Sequence, residues 1–159
     1  MATLRDVLGQ LQTIVEAVTP DSPRYDAAPA FRLTSAFDPE HVTTHQSVSR
    51  RFVVSLTGTR RAVGPMGAVG TPIDIEQTVD LTVLYRQPSD AFEVFRVIAE
   101  DVDRLAWALM QPAKWDQATT GAMVAAVGSY SAILDDAGPN GVALVSIPIT
   151  IRYRPSFTG

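Results

Sequence analysis

Apolar residues return at helical spacing near the start of the chain. Leu4, Val7, Leu8, Leu11, Ile14, Val15 and Val18 share one side of a 3.6-residue turn, with Arg5, Asp6, Gln10, Gln12 and Glu16 set against them. Thr3 stands where a helix needs a side-chain acceptor for its first amides, and Pro20 stands where a helix can no longer continue. Residues 19–46 hold Pro20, Pro23, Pro29 and Pro39 and keep no period. They read as a long irregular connection, of the kind that often serves function or is ordered by a partner.

The period then drops to two. Residues 48–57, "VSRRFVVSLT", set Phe52, Val54 and Leu56 against Arg51, Val53 and Ser55, the pattern of a half-buried strand. Residues 73–86 do the same at greater length, with Ile73, Ile75, Val79, Leu81, Val83 and Tyr85 inward and Asp74, Glu76, Thr78, Asp80, Thr82 and Arg86 outward. Between them lies a glycine-rich loop over 57–72, opening with Arg60 and Arg61. A second helix starts at Ser89 or Asp90 and stops before Pro112, with a core stripe of Ala91, Val94, Phe95, Ile98, Val102, Leu105 and Leu109. A small-residue strand over 121–134, the turn "DDAGPNG" and a last strand over 142–154 complete the chain. In that last strand Val145, Ile147, Ile149, Ile151 and Tyr153 face inward. Pro148 cannot donate to a ladder and marks an edge or a bulge. The order helix, strand, strand, helix, strand, strand predicts one α+β domain over 1–159. The expected form is a two-layer sandwich with an antiparallel sheet of about four main strands and both helices on one face.

Composition narrows the function more by exclusion than by assignment. A chain of 159 residues with 46% hydrophobic and 19% charged residues can bury a core without metal or disulfides. A formal charge of -4 argues against a dedicated nucleic-acid binder, though not against transient passage of DNA. The absence of cysteine removes disulfides, thiolate zinc sites and thiol nucleophiles. Charged residues interrupt the first helix, so it reads as neither signal peptide nor membrane span, and a soluble cytoplasmic or particle-borne protein is expected.

Chemical motifs are sparse. His41 and His45 have the spacing of a helical metal pair but follow Asp38-Pro39 in a loop and lack a partnering glutamate, so solvated loop histidines are expected. Glu100, Asp101 and Asp103 lie toward the polar side of the second helix with Arg96 and Arg104, which reads as a solvated ion-paired face. Asp135 and Asp136 are accounted for by turn formation. "GPMGAVG" lacks the GK[ST] ending and the following helix of a phosphate loop. No enzyme activity, metal or cofactor is expected.

What remains points to contacts. Trp107 falls amid Arg96, Glu100 and Asp103, away from the core stripe, and is either an interface anchor or covered by the 19–46 connection. Met66 in the glycine loop and Trp115 after the second helix join Arg60, Arg61 and Trp107 as interface candidates. Arg50, Arg51, Arg60 and Arg61 form a candidate basic patch facing a lumen or a partner.

The layout resembles the tail terminator (tail completion, neck) proteins of tailed bacteriophages across nearly the whole chain. The likeness is carried by the amphipathic first helix, "RRFVVSLT" joined by a long loop to "DIEQTVDLTVLYR", the helix "DAFEVFRVIAEDVDRLAWAL" and the closing "VSIPITIRYRP". It implies a structural virion protein: a homo-oligomeric ring, typically a hexamer, that caps the tail tube protein and docks to the head-side connector or stopper. DNA would pass through its lumen without sequence-specific contact. It places the protein in the tail-neck region of a virion assembled in the host cytoplasm. Two other readings stand beside it. One is another neck, connector or minor capsid protein; the other is a small α+β ligand-binding domain or enzyme with a pocket holding Tyr85, Tyr130 or Tyr153.

Overall fold

Thr3 opens the first helix, α1 (Leu4–Glu16), through a reciprocal pair of bonds. Its hydroxyl accepts from the Asp6 amide at 3.3 Å while the Asp6 carboxylate accepts from the Thr3 amide at 2.8 Å. This box satisfies two amides that the helix itself cannot, and the Thr3 bonds hold the Asp6 carboxyl below its usual range. The computed structural model describes residues 3–21, 30–34, 50–56, 58–64, 73–86, 91–135 and 142–156. Among these, the strands are β1 (Arg32–Leu33), β2 (Arg51–Ser55), β3 (Arg60–Val63), β4 (Asp74–Arg86), β5 (Ala122–Val127), β6 (Ser131–Asp135) and β7 (Val142–Tyr153). The second long helix is α2 (Ala91–Met110), followed by a 3-10 turn (Pro112–Lys114) and the single-turn α3 (Gln117–Thr120).

The α+β class stands as the sequence predicts, but the sheet has seven strands and is mixed. β1 runs parallel to β2, and every other pairing is antiparallel. The centre is the long pair β4–β7, in register from Ile75↔Tyr153 to Arg86↔Val142. Each outer side of that pair is covered by a row broken in two. β2 lies along Asp80–Leu84 of β4 and β3 along Asp74–Gln77. β6 lies along the first half of β7 and β5 along the second.

The breaks have local causes. At the first, Gly58 passes so close to β4 that a Cβ would sit 2.5 Å from the Thr78 carbonyl oxygen, a space no other residue can use. The Thr59 carbonyl then accepts from the Thr78 amide at 2.9 Å, and pairing resumes as β3. At the second, the Gly128 amide donates to the Pro148 carbonyl at 2.8 Å, and the chain leaves the ladder until Ser131. Pro148, with no amide hydrogen, therefore sits in a central strand at the point where its neighbouring row is interrupted; it is neither at an edge nor in a bulge as its sequence position suggested, since it stays in register with Asp80, and the register shift of the sheet falls between Ala122 and Val124. Residues 60–63, expected within a loop, form a strand because their backbone reaches the free edge of β4. The expected single strand over 121–134 is two.

The core lies between the inward face of the sheet and the helices. Val79, Leu81, Val83 and Tyr85 of β4 meet Val145, Ile147, Ile149, Ile151 and Tyr153 of β7, Val7, Leu11, Ile14 and Val15 of α1, and α2 in one buried cluster. Each such aliphatic side chain stabilises the fold by about 1.5–3 kcal/mol before entropy is counted. On α2 the buried stripe is Val94, Val97, Ile98, Val102, Leu105 and Leu109. Val97 takes the place expected for Phe95, which is exposed.

Asp101 lies in the middle of that stripe and is 1% exposed, correcting the solvated position the helical pattern implied. It is drawn inward by Arg50, itself fully buried, whose Nε donates to Oδ2 of Asp101 at 2.6 Å. Burial pushes the Asp101 carboxyl up, against the pull of the Arg50 guanidinium, and burial beside Asp101 pushes the Tyr85 phenol well above 10.0. Arg50 adopts φ 61 at the junction where its carbonyl accepts from Arg32 and its amide donates to Leu84. Trp115 is 4% exposed, and its Nε1 donates to the Leu109 carbonyl at 2.8 Å. It satisfies an orphan acceptor at the end of α2, so it is a core residue rather than an interface anchor. No described helix is long and apolar enough to cross a membrane.

Candidate functional site

Among the described residues, large apolar side chains without an internal role are exposed singly on the strands and their connections, at Leu33, Leu56, Ile73, Tyr130 and Ile133, and together on the outer face of α2. A twenty-residue helix with one core stripe would ordinarily turn charge to solvent. Here Phe92 is 71% exposed, Phe95 42%, Trp107 70% and Met110 48%, all on one side of the helix with Ala99 and Ala106 between them. The patch has two apolar ends, Phe92 with Phe95 and Trp107 with Met110, each pair at i, i+3 spacing. Charges lie between them on the same side: Arg96 is ion-paired to Glu93 at 2.9 Å, and Glu100 and Asp103 are exposed.

At its C-terminal end the patch opens into a groove of about 570 Å³ between α1 and α2. Ile14, Ala17, Val18, Trp107 and Ala108 supply apolar lining, and Thr19, Asp103, Arg104 and Lys114 supply polar and charged lining. Arg104 fixes one end by donating to the Thr19 carbonyl at 3.2 Å and pairing with Asp21. The Gln10 side chain donates to the Lys114 carbonyl at 3.0 Å and ties the 3-10 turn to α1. The groove is therefore held open by bonds at both ends. An indentation of this size with mixed apolar and charged lining is in the range of small-ligand sites.

A second cluster sits on the outward face of the sheet. Asp74 accepts from Arg152 at 2.8 Å and from Arg154 at 2.8 Å, while Arg61 pairs with Glu76 at 2.6 Å. Burial works against the Asp74 charge, but the Arg154 and Arg152 bonds outweigh it and hold the carboxyl below its usual range. The cluster follows from register: Arg61, Glu76 and Arg152 are opposite one another on neighbouring strands.

The anticipated basic patch is thus dispersed. Arg50 is inside, bound to Asp101 of the α2 core stripe. Arg51 is half-buried in β2, and Arg60 and Arg61 are exposed on adjacent positions of β3, so they point to opposite faces. Trp107 is 70% exposed, and most of the 19–46 connection that its other reading would lay over it falls outside the described residues. Met66, His41, His45, Asp136, the expected helix cap at Ser89 or Asp90 and most of 19–46 lie outside the described residues.

The sequence reading did not foresee Phe92 and Phe95 as surface residues. The signal was present in the spacing Phe92, Phe95, Ala99, Ala106, Met110, which repeats on a face distinct from the core stripe. Among the described residues no cluster of three or more histidine and acidic side chains has metal-binding geometry. No protein-family model matches the chain, and no curated relative matches it in sequence.

Proposed function

We propose that this chain is a structural assembly protein, a tail terminator of a phage or phage-like particle. In this reading copies form a ring that caps the tail tube and joins it to the head-side connector while DNA passes through the lumen. The observation that carries it is the exposed aromatic face of α2. A folded domain that spends its core-facing stripe on the sheet and still presents Phe92, Phe95, Trp107 and Met110 to solvent has surface suited to protein partners. The layout resemblance over nearly the whole chain supplies the identity of the assembly. The net charge of -4 fits a lumen that lets DNA move rather than one that grips it. Neighbouring copies, the tail tube protein and the connector are the partners, the place is the virion neck, and the role needs no catalysis.

The test is quantitative mass spectrometry of density-purified particles from the source culture. The expected result is this chain present at one small ring per particle. Its absence from particles, with the chain free in the soluble fraction, would overturn the proposal. A second reading, a ligand-binding domain, draws on the groove between α1 and α2, whose volume of about 570 Å³ is in the range of small-molecule sites.

A further inference from the structure

We infer that the buried Arg50–Asp101 pair sets which of two apolar faces α2 turns to the sheet. The face it buries is marked by Val94, Val97 and Leu105, and the face it exposes by Phe95, Ala99 and Met110. Val102 and Leu109 lie between the two and can serve either. A turn of one residue step, about 100° about the helix axis, carries Phe95, Ala99 and Met110 to the sheet and Val97 and Asp101 away from it. Arg96 and Asp103 then lie at the border of the turned face, where their charges still reach water. Apolar weight does not choose between the settings, because phenylalanine and methionine on one face offer areas comparable to those of valine and leucine on the other. Periodicity alone draws its stripe through Phe95 and leaves Asp101 outside.

One polar contact makes the choice. The Arg50 backbone is tied on both sides, its amide donating to the Leu84 carbonyl at 2.7 Å and its carbonyl accepting from the Arg32 amide at 3.1 Å. The origin of its side chain is thus fixed at the junction of β1, β2 and β4 and cannot follow α2 round. Its guanidinium meets Asp101 at two points, Nε to Oδ2 at 2.6 Å and Nη2 to Oδ1 at 3.4 Å, which fixes the rotation of the helix as well as its distance. Turning α2 takes this carboxylate away from a fully buried guanidinium, the costly way to break such a pair. A buried ion pair adds little net stability over apolar groups of the same volume, but it is satisfied in a single setting. The inference concerns one copy of the chain and does not depend on the assembly reading.

Because the chain has no cysteine, one introduced thiol reports one position. Ala99→Cys sets it on the exposed face and Val97→Cys on the buried one, where Val97 is 2% exposed. Alkylation by iodoacetamide, followed by mass spectrometry of the full chain, gives the rate at each. With the pair intact, the Ala99→Cys chain should react at least about a hundredfold faster than the Val97→Cys chain. Arg50→Met with Asp101→Ala removes both charges, keeps the aliphatic stem at position 50 and adds little apolar weight at position 101. In that background the ratio of rates should fall by about a hundredfold or more, with the far-ultraviolet circular dichroism kept. Adding Phe95→Glu puts charge on the competing face and should restore the original ratio. The inference is overturned if the ratio is unchanged without the pair, or if Phe95→Glu fails to restore it. Loss of the helical signal without the pair also overturns it, because a second face able to hold α2 would have kept the chain folded. Particle mass spectrometry tests the assembly reading separately, whichever way the thiols react.

Discussion

Removing the carboxylate from Asp101 should cost this domain a large part of its stability. The Arg50 guanidinium is fully buried and faces Asp101 at 2.6 Å through Nε and 3.4 Å through Nη2. With Asp101→Leu the pair is lost while the buried positive charge stays, and breaking such pairs costs about 3–5 kcal/mol. Against a total stability of about 5–15 kcal/mol, that is a third or more for an average domain. With a urea dependence of about 2 kcal/mol/M, the unfolding midpoint should fall by about 2 M. Replacing both partners, Arg50→Leu with Asp101→Leu, removes the buried charges together and should come back to within about 2 kcal/mol of wild type. Position 50 keeps its positive φ in either background, and arginine and leucine meet the same backbone penalty there, so the comparison isolates the pair. Equilibrium urea denaturation followed by circular dichroism supplies the three free energies. An Asp101→Leu midpoint within about 0.5 M of wild type would refute the reasoning, because the ion pair would then be solvated rather than sealed under α2.

Three further outcomes follow from the same structure. Gly58→Ala should lower stability by about 1–3 kcal/mol, since the new Cβ meets the Thr78 backbone; Gly128→Ala should cost less, because its contact is the movable Cγ of Pro148 at 2.9 Å; equal shifts in melting temperature would contradict the distinction. Trp115→Ala should cost about 3–5 kcal/mol while Trp107→Ala changes monomer stability by no more than about 0.5 kcal/mol, and denaturation at a concentration that keeps the protein monomeric separates them. Asp74 has a folded pKa below its unfolded value, so its contribution is fully present above the unfolded value near 3.9 and is lost as pH falls through the folded one. The stability gap between wild type and Asp74→Asn should therefore be constant from about pH 7 down to about 5 and shrink below about 4; a gap that stays unchanged in acid would show that Arg152 and Arg154 are not its cause.

The elements legible in the sequence were those whose pattern is written in adjacent residues. The period of α1, its Thr3 cap and the alternation from Val145 to Tyr153 needed no knowledge of the rest of the chain. Pro148 announced by its chemistry that a neighbouring row must break beside it, though not that it would stay in register with Asp80. The failures share one origin, a partner distant in sequence. Arg50 and Asp101 each look like solvated charges until the fold places them 51 positions apart and in contact, and neither position carries a local trace of the other. Trp115 looked like a free aromatic because its acceptor, the Leu109 carbonyl, is a property of a helix end rather than of a side chain. Arg60 and Arg61 were hidden by their neighbours' glycines, because a strand that gets its bonds from an available edge needs little propensity of its own. On α2, two apolar faces run along one helix, and a single best stripe drawn through them borrowed Phe95 from the wrong one.

The interrupted outer rows bear on what this protein avoids while it is concentrated in a cell. Gly58 beside Thr78 and Gly128 beside Pro148 lie two positions apart along the central pair, since Thr78 is opposite Thr150 and Asp80 is opposite Pro148. Both outer rows are thus interrupted near the middle of the long central strands, with β2 and β6 beside one half of the pair and β3 and β5 beside the other. Strands of twelve and thirteen residues would make long templates for amyloid-like growth if they stood at a border. Here they are enclosed, and along the outer rows β5 is the longest strand, at six residues. A stray chain seeking to add to these rows finds a short ladder that ends where the row breaks, so its growth is checked by geometry even where side chains offer no charge to repel it.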